Sequence, residues 1–260
     1  MTRVLSALVL LPIVVCVIWF LSPIWTLILV EAILICAVLE YSEIGVRTGV
    51  SFSRVTTATA AIATCAAFSL APLHFPLVLM AATLGIFLAE LVRRGPESVL
   101  ASTSVAGLSL LYLAIPLGVM AALRAKDGAE VLLLLLATVM ASDTSQYYGG
   151  RAVGKRLLAP VISPKKTVEG AAFGVVAGIA VMGIVGHWWL PGVDVALRLS
   201  LGATIAGLGI AGDLFESSLK RGAKIKDASA VIPGHGGVLD RLDGFLFAAP
   251  VYYAVVELTR

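Results

Sequence analysis

Charge is the property that this sequence has least of. Only 13% of its 260 residues are charged, whereas an ordinary soluble domain carries roughly 25%. Hydrophobic residues make up 59% of the chain. A chain of this composition cannot cover a globular surface with polar groups, so a water-soluble fold is excluded, as are a disordered chain and a collagen. The composition is typical of a membrane protein.

Cysteine and histidine are also scarce. The three cysteines, Cys16, Cys36 and Cys65, lie singly inside apolar runs, and there are three histidines in all. Isolated thiols at these positions do not form a disulfide framework or a zinc-ligand pattern, so we interpret them as inert core or lipid-facing residues. The net charge of +3 is small and the chain has no polybasic arm. We therefore expect no nucleic-acid partner.

Long apolar runs take the place of the missing polar residues. A helix needs about 20 mainly apolar residues to cross the hydrocarbon core of a bilayer, and about nine such windows can be placed. We therefore predict an all-α, polytopic integral membrane protein embedded in a lipid bilayer. The predicted spans are residues 4–21, 23–44, 55–72, 75–92, 99–123, 130–149, 170–190, 196–215 and 244–258.

The basic residues are divided unequally between the two sides of this predicted bundle. With nine spans, 15 of the 19 Lys and Arg residues fall on the side of the N-terminus. The positive-inside rule then predicts a cytoplasmic N-terminus. We predict a transmembrane scaffold over 1–125 and a catalytic region over 126–260, with cytoplasmic loops at 150–169 and 216–243. The short chain with few loops favours a bacterial inner membrane.

Acidic side chains within or beside the spans are candidate functional groups, because a charge there is costly. One group has apolar neighbours on both sides, and we interpret its members as carboxyls that hydrogen-bond inside the bundle. The other group adjoins basic, glycine-containing loops and is the better candidate for chemistry. The first group is Glu31, Glu40 and Glu90, and the second is Asp143, Asp213 and Glu216.

The segment 213–220, DLFESSLK, is predicted to continue the eighth helix into the cytoplasm. Spacings of three, four and seven residues place Asp213, Glu216, Ser217 and Lys220 along one face. Two interpretations remain open for this stripe of mixed charge. It could form salt bridges at the membrane surface, or Asp213 could hold a divalent cation beside a phosphate bound by Lys220.

A glycine-rich turn follows in residues 233–237, PGHGG. Gly234, Gly236 and Gly237 leave backbone amides accessible to an anion such as a phosphate. His235 is interpreted equally well as a proton shuttle or as a cap of backbone groups. Asp240 and Asp243 then recur at i and i+3 at the predicted start of the ninth helix, so both carboxylates can face one hard cation such as Mg²⁺.

The other polar loop, residues 143–170, begins with Asp143 and ends with Lys165, Lys166 and Thr167. Thr167 is a predicted N-cap, and an anionic group could bind beside the two lysines at this helix end. The alternative is a surface lysine pair that is attracted to anionic lipid headgroups.

Taken together, these motifs resemble a known family. Residues 217–243 read S-x-L-K-R, four residues, K-D, then P-G-H-G-G-V-x-D-R-L-D, and this pattern is similar to the C-terminal signature of the phosphatidate cytidylyltransferases, the CDP-diacylglycerol synthases. Upstream, D-T-S-Q-Y-Y-G-G-R-x-x-G-K and S-P-K-K-T-x-E-G resemble a second block of the same enzymes. Gln146 departs from the small residue usual before Tyr147. The resemblance covers residues 143–250.

The resemblance implies transfer of a cytidylyl group from CTP to phosphatidate, with Mg²⁺, an additional K⁺ and a homodimer. It assigns the metal to Asp213, Asp240 and Asp243. For a reaction between two polyanions, we expect cationic side chains at the phosphates, with Asp227 orienting a lysine or contacting the metal. The expected catalytic residues are Lys220, Arg221, Lys226, Asp227 and Arg241. The expected substrate-binding residues are Asp143, Lys165, Lys166, Thr167, Ser217, Gly234, His235, Gly236 and Gly237.

Two other functions are alternatives to this one. A CDP-alcohol phosphotransferase would carry the helix pattern D-G-x-x-A-R with further aspartates, which is absent from the sequence. A secondary transporter for an anionic solute would fit the many spans and the intramembrane acids. Transporters of that kind have inverted repeats with charges near the midplane, whereas here the charges cluster in long loops on one side.

Overall fold

The computed structural model describes residues 2–93, 96–229 and 236–259. Helices account for nearly all of the regular structure in these ranges. They are α1 (Thr2–Phe20), α2 (Pro23–Arg47), α3 (Arg54–Leu70), α4 (Phe75–Arg93), α5 (Pro96–Ser109), α6 (Ile115–Asp127), α7 (Ala129–Val153), α8 (Val168–Ile184), α9 (Gly186–Trp189), α10 (Val195–Gly222) and α11 (Leu239–Leu258).

Local sequence accounts for several helix boundaries. Pro23 stands at the first positions of α2, where its missing N–H is not needed. The Ser53 side chain caps α3 by accepting from the Thr56 amide. α2 is followed by Gly49, and Gly128 separates α6 from α7, with φ angles of +88° and +99° that favour glycine. One π-helical turn, Leu110–Ala114, joins α5 to α6.

The helical membrane class that the sequence predicts is confirmed. Among the described residues, four helical segments are long and apolar enough to cross a membrane, and three shorter apolar helices accompany them. The count of nine spans and the cytoplasmic N-terminus stay predictions. The four long segments are Pro23–Arg47, Phe75–Arg93, Pro96–Asp127 and Val195–Gly222, and the shorter helices are Leu11–Phe20, Arg54–Leu70 and Val168–Ile184.

The predicted loop 150–169 is more ordered than the sequence suggests. α7 continues to Val153, and a small antiparallel hairpin follows, made of β1 (Leu157–Ala159) and β2 (Ser163–Thr167). Leu157 pairs with Thr167 and Ala159 with Ser163. The hairpin is too short to show period-2 alternation in the sequence, which is why it was not predicted.

The chain divides into two compact units by its internal contacts. The first comprises Met1–Lys126 and Leu219–Arg241, and the second comprises Asp127–Ser218 and Leu242–Arg260. This grouping leaves the division into scaffold and catalytic region a prediction.

Aromatic and polar contacts organise the first unit. The Tyr41 ring lies 6.3 Å from that of Phe52 and 6.4 Å from that of Tyr112, centroid to centroid. The Tyr41 hydroxyl donates to the Val105 carbonyl at 3.0 Å. This hydrogen bond satisfies the polar end of a ring that is otherwise buried.

Glycines bring helices together in the second unit. Gly174 and Gly178 have a four-residue spacing that is typical of close helix contacts. A Cβ at Gly174 would lie 3.0 Å from Ser142 Oγ on α7, and one at Gly178 would lie 2.9 Å from the Gly202 carbonyl oxygen on α10. The contact that this spacing indicates is therefore made within one chain.

Two glycines of α10 provide a matched test of this packing. A Cβ at Gly202 would lie 2.7 Å from the Gly178 carbonyl oxygen, whereas no described atom lies within 4 Å of one at Gly207. We expect Gly202→Ala to destabilise the protein by about 1–3 kcal/mol through overpacking. Gly207→Ala should leave stability unchanged or raise it by about 0.5–1 kcal/mol. Thermal unfolding in detergent checks both, and equal melting temperatures for the two variants would contradict this packing.

Candidate active site

The β hairpin turns one of the two predicted lysines toward an aspartate. In β2 the Lys165 side chain is exposed, while that of Lys166 is 16% exposed. Lys166 Nζ lies 2.6 Å from Asp213 Oδ2 on α10. The alternation of side chains along a strand separates the roles of the two neighbouring lysines.

The helix that follows β2 begins as the sequence predicts. Thr167 Oγ1 accepts from the Gly170 amide at 3.1 Å, which makes it the N-cap of α8. The close fit leaves no room for side chains nearby, because a Cβ would lie 3.0 Å from Thr167 Oγ1 at Gly150 or Gly170 and 2.7 Å from it at Gly154. Gly150 and Gly154 therefore serve the packing of Thr167 in this structure.

Asp213 also has a partner on its own helix. The Ser217 hydroxyl donates to Asp213 Oδ1 at 3.2 Å, four residues along α10. The face predicted from the spacing is thus present, and Ser217 orients the carboxylate that pairs with Lys166. Glu216, which directly precedes Ser217, is fully buried.

Asp243 faces the same group of charges. It is the fifth residue of α11, just before the apolar part of that helix begins. Its pKa is raised from 3.8 to about 7, chiefly by burial and then by the negative charges of Asp213 and Asp143, while the Gly244 amide and Lys166 act in the opposite direction. Asp143 itself is exposed and lies ten residues before the end of α7. The charges of Asp213, Asp143 and Lys166 therefore all act on Asp243.

Glycines let Asp243 come this close to Asp213, and sequence reasoning missed them. A Cβ at Gly212 would overlap the Asp243 carbonyl oxygen, and one at Gly244 would lie 3.5 Å from the Cα of Gly209. The backbones of α10 and α11 are therefore in direct contact at this level. The sequence offers no signal for this role, because it depends on a carbonyl group 31 positions away.

The first unit also pairs a predicted lysine with a predicted aspartate. Lys220 Nζ lies 2.5 Å from Asp240 Oδ1, and the two side chains are 11% and 8% exposed. The other oxygen, Asp240 Oδ2, accepts from the amides of Gly237 at 2.7 Å and Ala228 at 3.2 Å. Gly236 has a φ of +81° and a hypothetical Cβ there would lie 2.7 Å from the same oxygen. The glycine turn thus accommodates a carboxylate of the chain itself.

The remaining predicted residues are more accessible. Arg221 Nη1 donates to the Ile225 carbonyl at 3.1 Å, and the side chains of Lys226, Asp227 and Arg241 are exposed. Gly234 and His235 lie outside the described residues, so their predicted roles in anion binding and proton transfer stay predictions.

The carboxylates of the second unit suit a hard cation. Asp213, Asp243 and Asp143 offer only oxygen ligands, which is the set that Mg²⁺ prefers. Burial first, and the charges of Asp213 and Asp143 second, raise the pKa of Asp243, so a positive charge beside it would favour its ionised form. Among the described residues, however, no three His, Cys, Asp or Glu side chains already stand in a metal-binding arrangement. The predicted set of Asp213, Asp240 and Asp243 stays a prediction.

Two further carboxylates, Glu169 and Glu40, accept hydrogen bonds from backbone amides. Glu169 Oε2 accepts from the amides of Lys155 at 2.9 Å and Arg156 at 3.1 Å. Glu40, whose apolar neighbours in the sequence predict a carboxyl that hydrogen-bonds inside the bundle, accepts from the amides of Val238 and Leu239. A carboxylate inside an apolar span marks Glu40 in the sequence, but this signal does not show which groups donate hydrogen bonds to it.

Several known proteins that are similar to this chain carry the same name. The chain is 45% identical over 134 residues to a phosphatidate cytidylyltransferase of Synechocystis, covering 50% of this chain and 45% of that one. It is 43% identical over 129 residues to the Helicobacter pylori enzyme of the same name, covering 50% and 48%. The Thermotoga maritima enzyme is 32% identical over 179 residues, covering 67% and 66%.

The matched regions thus span about half the length of the first two relatives. The family model described as the cytidylyltransferase family matches residues 1–259, nearly the whole chain. The family resemblance predicted from the sequence motifs is therefore confirmed. This chain belongs to the cytidylyltransferase family.

Proposed function

We propose that this chain transfers a cytidylyl group from CTP to phosphatidate, giving CDP-diacylglycerol and pyrophosphate. The name carried by its relatives supports this reaction. The observation that carries the proposal is the ion pair of Lys166 with Asp213 beside Asp243. Joining two phosphate groups requires cationic side chains for the phosphates and carboxylates for a metal ion, and this cluster supplies both.

The reaction exchanges one phosphorus–oxygen bond for another. An ionised oxygen of the lipid phosphate attacks the α-phosphorus of CTP, the bond to the oxygen that bridges to the β-phosphorus breaks, and pyrophosphate leaves with that electron pair. A phosphate monoester has a second pKa of about 6, so the attacking oxygen is largely ionised at neutral pH. A protein base is not needed, and the main task is to align two anions.

Lys166 of the second unit and Lys220 of the first are the side chains that we assign to phosphate binding. Each is mostly buried and forms an ion pair with an aspartate. A substrate phosphate can replace the aspartate as the partner of either lysine, because both are oxyanions that accept charge-assisted hydrogen bonds. This exchange would leave Asp213 or Asp240 available to a cation. The exposed Lys165, Arg221, Lys226 and Arg241 could bind phosphates that arrive from water.

Asp213 and Asp243 are the residues that we assign to Mg²⁺, with Asp143 beside them. A bound Mg²⁺ would neutralise negative charge on the reacting phosphates. Ser217 would keep Asp213 oriented through its 3.2 Å hydrogen bond. Participation of Asp240 in the same set, the second cation K⁺ and the homodimer stay predictions from the family resemblance.

The two proposed substrates require a site at a membrane surface. Phosphatidate carries its phosphate at headgroup level and its acyl chains in the hydrocarbon, whereas CTP is dissolved in water. A site beside apolar helices that are long enough to cross a bilayer can meet both substrates. We propose that it opens to the cytoplasm of a bacterial cell, at the inner membrane.

Nucleotide selectivity tests the proposed reaction most sharply. Purified protein in detergent with phosphatidate and Mg²⁺ should release pyrophosphate and form CDP-lipid with CTP, and much less with ATP, GTP or UTP. Omitting phosphatidate or adding EDTA should stop product formation. Uptake of a solute by reconstituted vesicles without any CDP-lipid would favour the transporter alternative instead.

The raised pKa of Asp243 gives a test that needs no turnover. Because folding favours the protonated carboxyl, its stabilising contribution is complete below about pH 4 and is lost as the pH rises through about 7. In EDTA, the melting temperature of Asp243→Asn should therefore exceed that of the wild type by a margin that grows from about pH 5 to about pH 8.

Magnesium completes this experiment. It requires the ionised carboxylate, so Mg²⁺ should raise the melting temperature of the wild type more at about pH 8 than at about pH 6, and that of Asp243→Asn less at both. Asp194→Asn serves as the control, because Asp194 accepts from the Ala196 amide at the other end of α10. A margin that does not change with pH would contradict the carboxylate cluster.

A further inference from the structure

Glu40 makes hydrogen bonds to residues almost two hundred positions away. It lies on α2 and its side chain is 5% exposed. Its Oε1 accepts from the Ser229 hydroxyl at 2.5 Å and from the Val238 amide at 2.9 Å, and its Oε2 accepts from the Leu239 amide at 2.7 Å. All four residues belong to the first compact unit.

Three donors compensate for burying this carboxylate. Leu239 is the first residue of α11, and the amides at the start of a helix have no partners within the helix. A negative charge is also favourable at that end of a helix. Glu40 therefore supplies α11 with a cap from a distant helix, in place of the neighbouring Ser, Thr or Asp side chain that usually fills this role.

Gly237 shows how closely the two segments fit. A Cβ at this position would lie 2.5 Å from Glu40 Oε2, closer than real Cβ atoms approach an oxygen. Its amide donates to Asp240 Oδ2 at 2.7 Å. The absence of a side chain at Gly237 is thus needed for Glu40 to reach the helix start, which is a different requirement from anion access.

The capped helix start carries Asp240, which holds Lys220. Asp240 directly follows Leu239 and lies 2.5 Å from Lys220 Nζ. A shift of the Val238 and Leu239 amides would move the Asp240 carboxylate and the lysine attached to it. We propose that Glu40 is a positioning residue, which sets the location of the Asp240–Lys220 pair through the backbone of α11. This inference rests on the proposed function, in which Lys220 binds a substrate phosphate.

Glu40→Gln is the main test variant. Glutamine has nearly the same size, but it presents one carbonyl oxygen instead of two carboxylate oxygens and brings an NH₂ group toward backbone N–H donors. We expect kcat per folded molecule to fall about 10- to 100-fold, as for other residues that orient the groups in direct contact with a metal or substrate. The melting temperature should change little, because the loss of turnover comes from displaced groups and not from unfolding.

Glu43→Gln is the matched control on the same helix. The Glu43 side chain is 40% exposed and pairs with Arg47 at 3.2 Å and Arg54 at 3.1 Å. Exposed pairs of this kind contribute little, so kcat should stay within about twofold of wild type. Ser229→Ala removes one donor to Glu40, so its kcat should lie between those of Glu40→Gln and Glu43→Gln. It serves in place of Glu40→Gln if that variant does not fold.

Two readouts are independent of turnover. Amide hydrogen exchange at Val238 and Leu239 should be faster in Glu40→Gln than in Glu43→Gln. Gly237→Ala should lower the melting temperature in the wild-type background but much less in a Glu40→Ala background, because the clash disappears with the carboxylate.

Each result decides one part of the inference. Unchanged exchange, or an equal penalty for Gly237→Ala in both backgrounds, would overturn the contact itself. Faster exchange with an unchanged kcat would overturn the positioning role and leave a structural cap. If the wild type forms no CDP-lipid from CTP and phosphatidate, the proposed function fails, while the exchange result still decides whether Glu40 holds the start of α11.

Discussion

The contact between the backbones of α10 and α11 at Gly212 is the constraint on which the proposed site depends. A Cβ at Gly212 would overlap the Asp243 carbonyl oxygen, so any other residue would push the two helices apart. Because of this contact, Asp213 and Asp243 are close enough for the charge of one to raise the pKa of the other. Bringing like charges together is unfavourable, and such an arrangement is typical of functional sites.

Each of the two units pairs a lysine with an aspartate. Lys166 pairs with Asp213 in the second unit, and Lys220 pairs with Asp240 in the first. Buried pairs of this kind add little net stability, but removing one partner leaves a costly isolated charge. The pairs are therefore well suited to exchange a carboxylate for a phosphate, since the lysine keeps an anionic partner throughout. This property connects the geometry of the two ion pairs with the cytidylyl transfer that we propose.

The features that the sequence predicted correctly are local ones. Thr167 caps α8 and Ser217 reaches Asp213 because both contacts span three or four residues of one helix. The different orientations of Lys165 and Lys166 follow from a strand that is too short to recognise. The roles of Gly212 and Glu40 depend on partners 31 and about 200 positions away, and a single sequence contains no information on such distances.

The affinity for Mg²⁺ of a Gly212→Ala variant tests the central claim most directly. The substitution changes none of the carboxylates, but it should separate α10 from α11 and so move Asp213 away from Asp243. Calorimetric titration should show Mg²⁺ binding weakened by about tenfold or more relative to wild type. Gly207→Ala on the same helix should bind Mg²⁺ as the wild type does. A folded Gly212→Ala protein with unchanged Mg²⁺ affinity would contradict the proposed site.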